Sequence, residues 1–328
     1  MMSDLNGLII IGAGPAGLTA AQYGARANLK VLVIEQLSPG GQVLIIDVLE
    51  NYPGNTGQFD AEGNLTVPPK TGFEFAQDLH RQAESFGASF FTGAVNSLKK
   101  EGDIFIVSLQ GGETFKAPAV ILATGSKPRL LGVPGEKEFS GKGVSYCATC
   151  DGPFFKNKKI FVVGGGDAAC DEARYLSRLT AKVALVHRRD SFRAQKALIQ
   201  RTLDNPNIEV RYNTVIKEIK GDQKVKSVVL ADVNTGEIRE EEADAVFIFA
   251  GTVPQSSLVM GNEMKANLDE SGYIVTDQKM ATNVAGLFVA GDVRSGAFRQ
   301  VITAAADGAM AAHSACEYID ELKHRNKN

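Results

Sequence analysis

The chain has few cysteines, little net charge and no long apolar run, and each of these features argues against a class of protein. Its 328 residues include four Cys, far below the density of a small secreted domain that depends on disulfides. The net charge of −3 gives no indication of a nucleic-acid surface. No apolar stretch approaches the roughly 20 residues that span a membrane. The first apolar run, Leu8–Ile11, has no basic residue before it and is too short for a signal peptide. We therefore expect a cytoplasmic protein of about two domains.

Two of the four cysteines, Cys147 and Cys150, form a CxxC motif that Asp151 follows at once. A pair at this spacing can close into a disulfide and reopen, with one thiolate as the nucleophile. In a cytoplasmic protein such a motif is more often catalytic than structural. A zinc site would need about four ligands, and the other Cys and His residues show no paired spacing, so we expect no metal site. Cys170 and Cys316 lie in helical patterns and are expected to be core residues.

A glycine-rich turn, Gly12–Gly17, lies between a predicted buried strand at 7–12 and a helix that runs to Ala27. A second predicted strand, 30–35, ends in Glu35. In such a βαβ unit the glycines let backbone N–H groups meet a pyrophosphate at the start of the helix. An acid at the end of the second strand can accept from a ribose hydroxyl. The alternative is a plain strand–turn–helix corner. The combination favours a dinucleotide site.

The same unit occurs a second time. Gly164, Gly166 and Ala169 stand 152 positions after the corresponding residues of the first turn, and a predicted strand precedes them. A helix is expected from Asp167 to about Leu179, and a strand from 182 to 187. The chain therefore contains an internal repeat of the nucleotide-binding unit.

The second copy replaces the acid with His187, followed by Arg188, Arg189 and Arg193. An acid would repel a ribose 2′-phosphate, whereas arginines bind it through charge-assisted hydrogen bonds. The alternative is a solvated basic face. The first site is therefore expected to take an adenosine with a free ribose, and the second to take NADPH.

Further helices and strands are predicted in the rest of the chain. We expect a helix at 73–86, strands at 89–92, 103–109 and 114–117, and an apolar strand that leads into Ala123-Thr124-Gly125. Further strands are expected at 208–212, 224–230 and 245–250, and a last helix at about 299–322. Asp292 ends a strand and can accept from sugar hydroxyls; its alternative role is an ordinary helix cap. The predicted fold is α/β, with two Rossmann-like three-layer ββα domains. We expect residues 1–124 and 251–328 to form one domain, which holds the first nucleotide site, and residues 125–250 to form an NADPH domain inserted into it.

Together these motifs resemble the bacterial-type, low-molecular-weight NADPH–thioredoxin reductases over nearly the whole chain. The CATCD sequence at Cys147–Asp151 and the HRRxxxR sequence at His187–Arg193 are the most specific. The other matching segments are Gly12–Gly17, Gly40–Gln42, Glu50–Gly54, Ala123–Gly125, Gly164–Ala169, Gly291–Asp292 and Arg299–Gln300. Ferredoxin–NADP reductases without a thiol pair use the same scaffold, so the fold alone does not decide the function.

The resemblance implies FAD in the first domain and NADPH in the second. For the pyrophosphate and adenosine ribose of FAD it implies Gly12, Gly14, Pro15, Ala16 and Glu35. For the rest of FAD it implies Gln36, Gly41, Gln42, Asn51, Val95, Ala123, Thr124, Gly125, Gly291, Asp292, Arg299, Gln300 and Val301. For NADPH it implies Gly164, Gly166, Asp167, Ala168, Ala169, His187, Arg188, Arg189 and Arg193.

The resemblance also implies the chemistry. NADPH reduces FAD, the reduced flavin opens a Cys147–Cys150 disulfide, and a thiolate then attacks the disulfide of thioredoxin. In the family the second cysteine, here Cys150, faces the flavin, and the first, here Cys147, attacks thioredoxin. Asp151 is a candidate acid that protonates the departing thiolate. The family is dimeric.

The CxxC motif lies inside the predicted NADPH domain, so nicotinamide and disulfide must both reach one flavin. A single rigid arrangement would not serve both. We therefore hypothesise a rotation between the domains about the crossings near residues 125 and 251, a motion for which the family is known.

Three features depart from the family pattern. Residues 55–71 are longer than expected and are interpreted as a surface loop. Val43–Ile46 replaces a threonine-rich stretch near the flavin, and Gln255 stands where Asn is usual. The first two concern partner identity and flavin tuning rather than the fold.

Other functions stay open at this point. A dithiol reductase could serve a peroxiredoxin system, a glutaredoxin-like protein or a small disulfide, and a flavin oxidase could pass electrons to oxygen. Replacing both motif cysteines by Ser separates these functions, because oxidase activity would survive. A flavin-bound sensor without enzymatic activity is disfavoured by the complete NADPH determinants.

Overall fold

The computed structural model describes residues 5–46, 49, 51–261 and 264–325, without the side chains of Ile45, Thr149 and Cys150. The helices are α1 (Pro15–Arg26), α2 (Gly72–Ser85), α3 (Ala148–Asp151), α4 (Asp167–Leu176), α5 (Lys196–Leu203) and α6 (Val301–Arg325). The 3₁₀ helices are Gly41–Ile45, Gly152–Phe155, Ser257–Val259 and Gly291–Val293. None of the helices in the described part of the chain has both the length and the apolar character needed to cross a bilayer.

The strands up to the first crossing are β1 (Leu8–Ile11), β2 (Val31–Glu35), β3 (Gln58–Phe59), β4 (Leu65–Val67), β5 (Ser89–Thr92), β6 (Val95–Glu101), β7 (Ile104–Leu109), β8 (Thr114–Ala117), β9 (Ala119–Leu122) and β10 (Ser126–Pro128). The others are β11 (Val144–Ser145), β12 (Ile160–Gly164), β13 (Val183–Val186), β14 (Ile208–Arg211), β15 (Thr214–Gly221), β16 (Val225–Asp232), β17 (Ile238–Glu242), β18 (Ala245–Phe249), β19 (Thr252–Pro254) and β20 (Leu287–Val289).

These elements form two compact units. The first unit comprises the residues up to Lys127 together with those from Val253 onward. The second unit, Pro128–Thr252, is inserted into its sequence.

The first unit has three layers because its central strands alternate between two cores. Its parallel sheet has the order β20-β9-β1-β2-β5. On one face, Leu8 and Ile10 pack against apolar residues of α1 and α6. On the other face, Ile9 and Ile11 pack against residues of the antiparallel sheet β6-β7-β8, such as Phe105. Strands buried on both faces read as continuous apolar runs, which is the pattern seen in β1.

The second unit repeats this plan. Its parallel sheet has the order β11-β18-β12-β13-β14. Ile160 and Val162 face a core shared with α4. Phe161, between them, faces a core shared with the antiparallel sheet β15-β16-β17. The predicted fold class, two Rossmann-like three-layer units with one inserted in the other, is confirmed.

The observed helices and strands differ from the predicted ones where contacts with distant parts of the chain determine the secondary structure. Strands β6, β15 and β17 and helix α5 were not predicted. The predicted surface loop at 55–71 contains a short hairpin, β3–β4. Strand β17 carries Glu240 and Glu241 and has little apolar patterning. Ion pairs from Lys220 to Glu240 and from Arg211 to Glu241 support it within the sheet.

Candidate functional site

The β1–α1 turn of the first unit is an open backbone cradle. Gly12 has a φ of +103°, and a Cβ there would lie 2.3 Å from the carbonyl oxygen of Ala123. Only glycine therefore lets β1 and β9 end so close together. At Gly14 a Cβ would meet nothing within 4 Å. Pro15 starts α1, whose first N–H groups are directed out of the turn. These positions leave space and donors for an anionic group.

Glu35 is fixed beside this cradle at the carboxyl end of β2. Its Oε2 accepts from the N–H of Ala13 at 2.8 Å, and its Oε1 accepts from the N–H of Leu37 at 3.1 Å. Each carboxylate oxygen retains a further lone pair. The carboxylate is therefore held in place and can still accept from a sugar hydroxyl. Gln36, the next residue, is exposed.

The 3₁₀ helix Gly41–Ile45 lies against the same turn. A Cβ on Gly41 would be 3.1 Å from the Cα of Gly14, and the N–H of Gly40 donates to the carbonyl of Ala13 at 2.7 Å. Gln42 donates from Nε2 to the carbonyl of Ser126 at 2.7 Å. This contact brings the predicted residues at 41–42 next to the segment that follows β9.

The segment after β9 is tied to Gln255. The Thr124 hydroxyl donates to the Gln255 carbonyl at 2.7 Å, and the Gln255 amide donates back to the Thr124 carbonyl. The N–H of Gln255 also donates to the carbonyl of Gly125 at 2.9 Å. Gln255, which departs from the family pattern, thus supports Thr124 and Gly125, two of the predicted FAD residues.

The turn after β20 and the start of α6 form the other side of the site. Asn51 donates from Nδ2 to Gln300 Oε1 at 3.0 Å. Arg299 has a φ of +61°, and its guanidinium lies 4.6 Å from the centre of the Tyr273 ring. Burial raises the pKa of Asp292, the Arg299 charge lowers it, and the Asp307 charge raises it. Within the described residues the Asp292 carboxylate makes no hydrogen bond, which leaves it available to a ligand hydroxyl.

An ion pair that was not predicted from the sequence supports this turn. Asp307 of α6 is 7% exposed and accepts from Arg294 through two bonds, Nε to Oδ2 at 3.0 Å and Nη2 to Oδ1 at 3.2 Å. Its Oδ2 also accepts from the N–H of Gly291 at 3.2 Å. The pair therefore joins both ends of the turn that carries Asp292 to the last helix. No motif marks it, because its two partners lie 13 residues apart in different elements.

In the second unit the glycine-rich turn rests on His187. A Cβ on Gly165 would lie 2.2 Å from both Cε1 and Nδ1 of the imidazole. His187 is 6% exposed, and its Nε2 has no hydrogen-bond partner in the described part of the chain. Burial lowers the pKa of His187, so the ring is neutral near pH 7. His187 thus lies beneath the turn, whereas the three arginines that follow it are exposed.

Those arginines, Arg188, Arg189 and Arg193, lie in the loop that leads from β13 to α5. Within the described residues none of them forms an ion pair with a carboxylate. The N–H of Arg193 donates to the carbonyl of Gly165 at 2.7 Å, which joins the arginine loop to the glycine turn. Asp167 accepts from the backbone N–H of Gln195 at 2.7 Å and holds this loop at the start of α4. These three unpaired cations beside a glycine turn are available to an anionic ligand.

Cys147 is half-buried, and its sulfur is part of a disulfide. Cys170 and Cys316 are free thiols, and burial raises the pKa of both. The Cys147–Cys150 pairing stays a prediction because the side chain of Cys150 lies outside the described residues. The N–H of Asp151 donates to the Cys147 carbonyl at 3.2 Å within the short helix α3. Of the described residues, no group of three or more His, Cys, Asp and Glu side chains is arranged to hold a metal.

The predicted site residues divide between the units. All eighteen of the predicted FAD residues lie in the first unit, mostly at the carboxyl ends of its parallel strands, with Val95 at the start of β6. The predicted NADPH residues and Cys147 lie in the second unit; Ala168 is exposed and Ala169 is buried on α4. The two glycine-rich cradles with open positions at Gly14 and Gly166 fit two dinucleotides. The carboxylate beside the first and the unpaired arginines beside the second fit different ribose groups.

Three comparisons agree on what the chain is similar to. The family described as pyridine nucleotide-disulphide oxidoreductase matches residues 7–308. The thioredoxin reductase of Treponema pallidum (strain Nichols) is 53% identical over 97% of this chain and 98% of the relative. That of Bacillus subtilis (strain 168) is 44% identical over 98% of this chain and 96% of the relative. The crystal structure of Lactococcus lactis thioredoxin reductase has a TM-score of 0.84 and 40% identity, and the match covers 96% of this chain and 99% of that one.

Proposed function

Since the chain belongs to the pyridine nucleotide-disulphide oxidoreductase family and, within it, to the thioredoxin reductases, we propose that it reduces the disulfide of a thioredoxin with electrons from NADPH. The observation that carries the proposal is the content of the second unit. It holds a cysteine in a disulfide, within a CxxC motif, together with a glycine turn and three unpaired arginines. A flavin and a nicotinamide nucleotide follow from the family, and FAD and NADPH are our specific assignments.

FAD is assigned to the first unit. The cradle at Gly12 and Gly14, with Pro15 and Ala16 at the start of α1, would take the pyrophosphate. Glu35 would accept from the adenosine ribose. Asp292, with no hydrogen bond of its own among the described residues, would accept from hydroxyls nearer the flavin. When bound, the flavin passes the electron pair of the nicotinamide to the protein disulfide.

NADPH is assigned to the second unit because of the charge at the end of β13. The exposed Arg188, Arg189 and Arg193 would bind the 2′-phosphate, and the neutral His187 would hold the glycine turn above it. Asp167 would act on the loop through Gln195 rather than on the nucleotide directly. NADH lacks the 2′-phosphate and would leave the arginines unpaired.

The cysteines carry the last transfer. The reduced pair holds two electrons, and the Cys147 thiolate attacks one sulfur of the partner disulfide, which releases the other sulfur as a thiolate. Asp151 or water supplies a proton to that sulfur. The Cys150 thiolate then attacks the Cys147 sulfur, which restores the disulfide and frees the partner with two thiols.

The test is NADPH consumption by the flavin-loaded protein, titrated with thioredoxin from the same organism and with NADH as a parallel donor. We expect saturable, thioredoxin-dependent consumption and little with NADH. Fast consumption without thioredoxin would indicate oxygen as the acceptor, and flavin reduction without turnover would indicate another disulfide partner. A preference for NADH would contradict the role of the arginines.

Three further parts of the proposal rest on the family resemblance and on cysteine usage. They are a homodimer, a cytoplasmic location and a rotation between the units during turnover. Analytical ultracentrifugation of the flavin-loaded protein tests the first, and a single monomeric species at micromolar concentration would contradict it.

A further inference from the structure

The most deeply buried carboxylate of the second unit belongs to Glu136, which is 1% exposed. It accepts from the backbone N–H groups of Leu131 at 2.9 Å and Gly132 at 2.6 Å. It also accepts from the hydroxyl of Tyr146 at 2.8 Å. No Lys or Arg in the described part of the chain forms an ion pair with it. Within the described residues, the hydrogen-bond donors to this carboxylate are therefore three neutral groups.

Apolar side chains surround Glu136, so its carboxylate depends on these three hydrogen bonds. Leu131, Val133 and Tyr146 pack on the apolar core between the parallel sheet and β15-β16-β17, and Phe139 belongs to that core. A buried ionised carboxylate without a counter-ion is disfavoured unless every oxygen is well hydrogen-bonded. A leucine or methionine of similar size would fill the same space but would leave the two N–H groups and the phenol without their acceptor. The carboxylate is therefore the common acceptor that holds these three groups together.

Glu136 connects the segment at which the chain enters the second unit with the segment that precedes the CxxC motif. Leu131 and Gly132 lie just after Pro128, where the chain enters the second unit. Tyr146 lies immediately before Cys147. The loop that carries Glu136 is itself fixed, because the N–H of Ile219 donates to the carbonyl of Pro134 at 3.0 Å. The carboxylate thus joins a fixed loop to the residue that precedes the redox motif.

The backbone of Cys147 needs such support. Strand β11 ends two residues earlier and pairs with β18 through only Val144 and Ser145. The Ser145 hydroxyl, which is buried, accepts from the N–H of Cys147 and donates to its carbonyl, both at 3.1 Å. The N–H of Asp151 also donates to this carbonyl at 3.2 Å, and the Tyr146 side chain supplies a further attachment next to Cys147. Burial raises the pKa of Tyr146, and the hydrogen bond and charge of Glu136 raise it further, so the phenol stays protonated and keeps donating.

We propose that Glu136 and Tyr146 are positioning residues of the redox motif, which hold the Cys147 backbone so that its thiolate meets the partner disulfide in line. The proposal rests on the proposed function of Cys147. It assigns to neither residue a contact with the reacting atoms. Misplacing a reacting group by about 1 Å can cost up to about a hundredfold in rate.

The test uses Tyr146→Phe in the flavin-loaded enzyme, because this change removes the hydroxyl and retains the packed ring. We expect kcat with thioredoxin to fall about tenfold, with KM unchanged because the docking surface is intact. The rate of flavin reduction by NADPH, measured by stopped flow, should be unchanged. The matched control is Tyr23→Phe on the exposed face of α1, which should alter neither rate.

The Glu136→Gln variant keeps an acceptor for the Tyr146 hydroxyl. Its kcat with thioredoxin should therefore fall less than that of Tyr146→Phe. In the Glu136→Gln background, Tyr146→Phe should then lower kcat by a smaller factor than it does in the unaltered enzyme, since the two residues act through one hydrogen bond. An unchanged kcat in Tyr146→Phe, an equal fall in both half-reactions, or strictly additive losses would each overturn the proposal.

A further measurement distinguishes a wrong positioning role from a wrong partner protein. If the unaltered enzyme reduces no thioredoxin, the proposed partner is wrong. The same comparison with a small aromatic disulfide, 5,5′-dithiobis(2-nitrobenzoate), then decides the positioning role. A tenfold loss with this acceptor in Tyr146→Phe would support it, and equal rates would overturn it.

Discussion

Replacing Arg294 by Met tests whether the ion pair behind the Asp292 turn stabilises the first unit. The pair is largely buried, with side-chain exposures of 20% for Arg294 and 10% for Asp307. Arg294→Met would leave the Asp307 carboxylate without its cation in this environment. Breaking a buried pair by removing one partner costs about 3–5 kcal/mol. Because the pair is partly exposed and the N–H of Gly291 still donates to Asp307, we expect about 2–3 kcal/mol in the free energy of unfolding.

The assay is urea unfolding of the flavin-loaded protein, followed by flavin fluorescence and far-ultraviolet circular dichroism. Flavin fluorescence reports on the first unit, in which we place FAD. We also expect weaker FAD binding, because the turn that carries Asp292 loses one of its two attachments to Asp307 of α6 and keeps the bond from Gly291.

Two variants make this prediction refutable. Lys279→Met removes an exposed pair with Glu317, with exposures of 69% and 48%, and should cost about 0–0.5 kcal/mol. Adding Asp307→Asn to Arg294→Met removes the orphaned charge while an amide oxygen can still accept from Gly291, so it should recover about 1 kcal/mol or more. If Arg294→Met costs no more than Lys279→Met, or if the second change recovers nothing, the ion pair does not act as described.

Four other predictions concern residues of the second unit. Replacing Arg188, Arg189 and Arg193 singly by Ala should raise the KM for NADPH about tenfold or more, since each charge-assisted bond contributes about 1.5–3 kcal/mol, and leave steady-state turnover with NADH unchanged. Gly165→Ala should abolish NADPH binding in equilibrium titrations and leave the bound flavin spectrum intact, because its Cβ would lie 2.2 Å from the His187 ring. Phe154→Ser, at a side chain that is 80% exposed just after the redox motif, should raise the KM for thioredoxin several-fold without slowing flavin reduction. Burial, with a smaller effect of Asp171, raises the pKa of Glu172 from its ordinary 4.5 to about 7, so the stability that its protonated form provides at low pH is lost as the pH rises from about 4.5 to 7. In urea titrations Glu172→Gln should therefore leave the unfolding free energy unchanged near pH 4 and raise it by about 1–2 kcal/mol at pH 8.

The sequence predicted those parts of the fold that local patterns determine. The first βαβ unit shows this: an apolar run, a glycine turn and an amphipathic helix gave β1, α1 and β2 to within a residue or two. The 152-residue repeat predicted the second unit by the same reasoning. Strand β6 (Val95–Glu101) was missed because it carries polar and charged side chains at most positions and gains its stability from pairing with β7.

The candidate site divides in the same way. The positions of Glu35 and of the arginines could be predicted because they follow from the ends of two strands, and the nucleotide groups that we assign to them stay a prediction. Placement changed the interpretation of His187, which the pattern grouped with the arginines and the fold buries beneath Gly165. A sequence pattern shows where a residue lies along an element, but whether its side chain faces solvent or the turn depends on neighbours from elsewhere in the chain.

The residues that support the site could not be predicted from the sequence, for a more general reason. Glu136 with Tyr146, and Arg294 with Asp307, are polar residues whose partners are set by tertiary structure and not by a motif. Both acids are almost fully buried, so each depends on its donors: for Glu136 two backbone N–H groups and a phenol, for Asp307 a guanidinium and one backbone N–H. A buried acid of this kind gains its stability only when the fold is complete. The residues that we propose to bind the nucleotides can therefore be recognised in the sequence, whereas the residues that we propose to set their geometry and that of Cys147 can be recognised only in the folded chain.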